Sequence, residues 1–138
     1  AIGGLAGGAS TTAGLGAATI TGVFFEQESL AQGATGTVVV VYNELVDVAV
    51  SNPTLVVTGS VTGAVTATYA RGTGLNRLEF DFTVPSATET LSIGAGSITL
   101  AGSSTIKDKG AQNADLTIAA GDVRGAGGSG TDKTLSIA

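Results

Sequence analysis

Carboxylates are the side chains of this chain that could do acid–base work, because it contains no His and no Cys. Ser/His/Asp and Cys/His nucleophilic mechanisms are therefore excluded, and so are the usual zinc sites. Glu26 and Glu28 stand two residues apart, as do Glu79 and Asp81. Paired acids catalyse when a cleft drives their pKa values apart. Here Glu79 and Asp81 alternate with apolar residues, and Glu26 and Glu28 follow an apolar run, so both pairs read as solvated strand faces. Asp108, Asn113 and Asp115 are the calcium candidates, since calcium takes oxygen ligands from such residues. Their spacing departs from an EF-hand loop, and local Asx bonds in a turn account for them without a metal. The expectation is a chain with no catalytic residues, no bound metal and no cofactor.

Other motifs dissolve on inspection. The Gly-rich stretch 125–133 lacks the Gly-Lys-Ser/Thr that opens a helix in a phosphate loop; Lys133 follows Asp132 instead. Asn52 is followed by Pro53, which forbids glycosylation there. Arg71-Gly72-Thr73 reads as a hairpin loop.

The 138 residues suit one domain, with 43% hydrophobic side chains to fill a core and only 4% aromatic. The core must then be built from Val, Ile, Leu and Ala. Charged residues make up 12% and the net charge is −5. All six basic residues (Arg71, Arg77, Lys107, Lys109, Arg124, Lys133) lie after residue 70 and form no cluster. Nucleic-acid binding needs clustered cations to replace phosphate counterions, so it is set aside. No stretch approaches the roughly 20 apolar residues that span a bilayer. No Met is present, as expected of a chain whose initiator or a longer leader has been removed.

Residues 1–16 alternate Gly with Ala, Ser and Thr and carry no ionisable side chain. Such a segment is costly to order alone and is read as an extended arm, with 1–18 as the arm and 19–138 as the body. Ile2, Leu5 and Leu15 are its candidate anchors for assembly. Strand signals follow at 19–25, 37–43, 54–58, 65–69 and 77–84. In the last of these Leu78, Phe80, Phe82 and Val84 alternate strictly with Arg77, Glu79, Asp81 and Thr83. The run Val38–Val41 with Tyr42 predicts burial on both faces. Shorter strands are expected at 91–93, 97–100, 116–118 and 134–137, with loops at 70–76, 102–113 and 119–132. No window predicts an amphipathic helix. Short strands about 10 residues apart predict an all-β sandwich, with a closed barrel as the lesser alternative.

Several stretches carry a family resemblance. They are Val40-Val41-Tyr42-Asn43-Glu44-Leu45-Val46-Asp47-Val48, Asn52-Pro53-Thr54-Leu55, and Thr66-Ala67-Thr68-Tyr69-Ala70-Arg71-Gly72-Thr73-Gly74. Then come Leu78-Glu79-Phe80-Asp81-Phe82-Thr83-Val84, Ile93-Gly94-Ala95-Gly96-Ser97-Ile98-Thr99-Leu100, and Thr105-Ile106-Lys107-Asp108-Lys109-Gly110 to Asn113-Ala114-Asp115-Leu116. In this order the stretches resemble a bacterial immunoglobulin-like (cadherin-like) repeat, found in large surface proteins and in phage structural proteins. The chain departs from that pattern in having one copy and a Gly-rich arm.

The resemblance implies an immunoglobulin-like β-sandwich that spaces, adheres or assembles and is not an enzyme. The expected role is structural: a bacteriophage capsid decoration (cement) protein at the virion surface, with capsid protein or copies of itself as partners. The alternatives are a subunit of a secreted filament or cell-surface layer joined by strand addition, or an adhesin module.

Overall fold

Successive side chains of a pleated strand point to opposite faces, and residues 77–84 follow that rule throughout. Leu78, Phe80, Phe82 and Val84 are buried, while Arg77, Glu79 and Asp81 are half-buried and Thr83 is exposed. The computed structural model describes residues 17–50, 53–128 and 133–138. The strands are β1 (Ile20–Phe25), β2 (Ser29–Leu30), β3 (Thr35–Tyr42), β4 (Val46–Ala49) and β5 (Pro53–Gly59). They continue with β6 (Gly63–Arg71), β7 (Arg77–Thr83), β8 (Glu89–Ser92), β9 (Gly96–Ser97) and β10 (Thr99–Leu100). Last come β11 (Thr105–Asp108), β12 (Thr117–Ile118) and β13 (Leu135–Ile137). Short 3₁₀ turns lie at Ala120–Asp122 and Ala126–Gly128.

The chain is all-β, organised by one curled sheet. Its hydrogen-bonded order is β1-β3-β7-β6-β5-β8-β13-β2, with β10 also paired to β5. Every pairing in it is antiparallel except β13 with β2. β1 and β2 stand at opposite ends of that order, yet residues 26–28 alone separate them in the chain. The sheet must therefore curl until its two ends approach. β1 and β2 are not paired to each other, so among the described residues the ladder does not close into a barrel. Two small ribbons, β4 with β11 and β9 with β12, lie beside it.

One apolar cluster fills the concave side, from Ile20 and Val23 through Val38, Val40, Leu55 and Phe80 to Leu135 and Ile137. Phe25 meets Phe82 edge-on at 6.2 Å, and Tyr69 meets Phe80 at 6.1 Å. Gly36 is required by this packing, since a Cβ there would come within 2.3 Å of the Phe82 ring. Val38, Val39, Val40 and Tyr42 are buried, as the apolar run predicted, while Val41 within it is half-buried. Val39 faces outward between Phe24 of β1 and Glu79 of β7. The Phe24 ring is itself covered by the Arg77 guanidinium, 5.5 Å from its centre.

Three expectations need correcting. Residues 102–113, read as a loop, contain β11, which exists because β4 pairs with it from Ala49–Thr105 to Val46–Asp108. Residues 97–100 are not one strand: β9 pairs with β12 while β10 pairs with β5. Ala18, placed in the arm, is fully buried in the core, and its carbonyl accepts the Asp115 amide at 2.8 Å.

Candidate functional site

The acids singled out by spacing are consumed by structure. β7 and the end of β6 place Arg71 between Glu79 and Asp81, with Nε–Oε1 and Nη1–Oδ2 distances of 3.0 Å each. Arg77 reaches Glu26 at 3.2 Å and Glu79 at 3.6 Å. The Thr37 hydroxyl donates to Asp81 at 2.9 Å. Glu79 and Asp81 thus share a face as their spacing allowed, but that face is cross-linked rather than freely solvated. Glu26 and Glu28 do not act as a pair, since Glu26 turns to Arg77.

The calcium candidates are likewise engaged locally. Asp108 is 3% exposed, and its Oδ1 accepts the amides of Gly110 and Gln112 at 2.9 Å each. Asp115 accepts the Thr117 amide at 3.0 Å through its side chain, and the Tyr42 hydroxyl at 2.9 Å through its carbonyl. Burial and the neighbouring Asp115 push the Tyr42 hydroxyl well above its ordinary pKa. Asn113 is exposed and sits opposite Lys107. Among the described residues no three His, Cys, Asp or Glu side chains gather as a metal site. Among the described residues no helix is long and apolar enough to cross a membrane.

Two carboxylates escaped the sequence reading. Glu89, at the start of β8, is 6% exposed. Its Oε1 accepts the amides of Val61 and Thr62 at 3.0 Å each, and its Oε2 accepts the hydroxyls of Thr62 and Ser86. These bonds, led by that from Ser86, hold its pKa down to about 2. The carboxylate thereby fixes the β5–β6 hairpin from outside it. The Ser86-x-x-Glu89 spacing, that of a capping box, is the one local signal for this contact. Glu44 is the opposite case. Both its carboxylate oxygens are shielded from solvent and unpartnered, and desolvation, then the nearby Asp108 charge, raises its pKa.

What remains is a surface without charge. On the outer side of β5, β6 and β8 stand Thr54, Val56, Thr58, Ala64, Thr66, Thr68, Thr90 and Ser92. Val56 is 52% exposed. Charge begins at the end of β6, where Arg71 pairs with Glu79 and Asp81, and continues on β7, where Asp81 lies opposite Thr68. β5 pairs with β8 at Thr58 and Gly59 and with β10 at Thr54 and Pro53. Between those points the chain swings away so that Gly96 and Ser97 can pair with Ile118 and Thr117. The departure leaves a notch of about 150 Å³ between β5 and the β9–β12 ribbon, lined by Leu55, Val56, Thr58, Ser97 and Ile118 and by the 94–96 backbone. The assembly anchors Ile2, Leu5 and Leu15 lie outside the described residues.

The chain matches no known family model, no curated protein and no solved structure.

Proposed function

We propose that this protein is a non-enzymatic structural subunit with an immunoglobulin-like sandwich body, working as a decoration protein on a bacteriophage capsid. The uncharged outer face of β5, β6 and β8 carries the reading. The centres of protein interfaces are depleted of charge, and this face holds Thr, Ser, Ala and one exposed Val while ion pairs crowd the adjoining strands. The strand order supports the fold reading. β1-β3-β7-β6 and β5-β8-β13 follow the ABED and CFG order of immunoglobulin sandwiches, with β2 continuing the first strand across to the second sheet. Fold alone does not assign function, so the docking face is what must be tested.

Thr66→Lys and Val56→Lys each set a cation in that face without touching the core. Both variants should melt as the parent does, yet be missing from purified particles analysed by mass spectrometry, where the parent chain is present in stoichiometric amount. Normal incorporation of both variants would sink the docking face. Absence of the parent chain from particles would sink the capsid role.

A further inference from the structure

We infer that the notch beside β5 receives the side chain of Leu5 from the N-terminal arm of a second copy of this chain. The inference rests on the assembly role proposed above and names one partner for it. At about 150 Å³ the notch is open and roomy enough for the four-carbon side chain of Leu, and its lining mixes aliphatic Leu55, Val56 and Ile118 with Thr58, Ser97 and backbone. Leu55 and Ile118 supply an apolar floor, and no charged group lines the notch. Its rim is bare backbone: a Cβ built on Gly94 or Gly96 meets no atom within 4 Å. Among the described residues, β5 also lacks a strand on this side between its contacts with β8 and β10. An extended segment laid along a sheet edge completes such a stretch, while pockets take its side chains.

The arm has the complementary composition. Residues 1–16 carry no charged side chain, and Leu5 is flanked by Gly3 and Gly4 on one side and by Gly7 and Gly8 on the other. Those glycines let backbone approach backbone beside the inserted side chain. The root of the arm favours a neighbour's notch over the chain's own. Ala18 is bonded to Asp115, and Val23 bridges Val123 in parallel. The chain therefore enters the body from the Asp115 side, running toward Ile118, and an arm seated in its own notch would have to reverse direction. Leu15 is only three residues from Ala18, a reach of about 10 Å, whereas Leu5 can extend about 45 Å from it. Because arm and notch are unlike surfaces, a reciprocal exchange about a two-fold axis closes a dimer, while a one-way contact builds a ring or a filament.

Because the chain has no Cys, the pair Leu5→Cys and Gly96→Cys in the full-length protein reports the contact directly. Mild oxidation should link copies into dimers or higher ladders on non-reducing gels, well beyond either single variant. A bridge within one chain, or no bridge, overturns the inference. Leu5→Asp, and Gly96→Val, which puts a side chain into the notch, should each weaken self-association about 10- to 100-fold in sedimentation with melting unchanged. Undiminished association of either variant also overturns it. If Thr66→Lys blocks incorporation while the Cys pair fails to bridge copies, the arm contact falls and the structural role stands. If the parent chain neither self-associates nor enters particles, both fall.

Discussion

On the outer side of β3 and β7, Arg71 and Arg77 tie Glu26, Glu79 and Asp81 together, and Arg77 also lies over Phe24. On the outer side of β5, of β8 and of β6 as far as Thr68, in the same sheet, there is no charged side chain and Val56 stands half in water. The first surface satisfies its own polar groups and covers its own apolar ones. The second leaves Val56 uncovered and is tied by no ion pair among the described residues, only by contacts such as the Ser92 hydroxyl on the Thr58 carbonyl, although strand positions facing water accept Lys or Glu at little cost. Charge there would guard against sticking, so leaving it out suits a surface that is meant to be covered. The two halves differ in what they leave for a partner, while sharing one core.

That shared core sets the largest expected effect. Phe80→Ala should destabilise the fold by about 3–5 kcal/mol in denaturant unfolding and weaken both halves together; a small loss would mean the two halves do not rest on one core. Glu89→Gln comes next and acts on the uncharged half, by releasing the turn at Val61 and Thr62. The pH dependence of parent and variant should differ as well. With the folded pKa of Glu89 lowered from 4.5 to about 2, its contribution is complete above about 4.5 and is lost as the pH falls toward 2. A melting curve for Glu89→Gln that keeps the parent's full acid sensitivity in that window would exclude the carboxylate as its source.

Arg71→Ala tests the charged half. Its side chain is 51% exposed, so removing it should cost only about 1 kcal/mol or less, and the cost should shrink in high salt. A salt-independent loss would point to packing instead. Thr66→Lys should change stability least, by about 0.5 kcal/mol or less, while having the greatest effect on assembly. A stability loss like that of Phe80→Ala would show that the face is part of the fold rather than open to a partner.

How far each half could be read from sequence follows from how local its signals are. The facing of β7 was legible because Leu78, Phe80, Phe82 and Val84 need only their own alternation. The double burial of Val38–Val40 was legible from their unbroken apolar run. β11 was not, because Thr105–Asp108 sits between Gly102 and Gly110 and becomes a strand only by pairing with β4. Glu89 was missed for the same reason: its partners at Val61 and Thr62 are 28 and 27 residues away. The calcium candidates were visible as residue types, but only the turn geometry shows Asp108 bound to the amides of Gly110 and Gln112.

By itself the sequence determined an all-β chain with an aliphatic core, without His- or Cys-based chemistry, and with its charge kept to the part after residue 25. These follow from composition and from a period of two, which belong to the chain before it folds. The tertiary structure decided which acids meet which arginines, where the sheet bares an uncharged face, and where β8 and β10 part to open a notch. Those depend on the register between strands distant in sequence. Register is fixed by the packing of the whole core and not by any one segment.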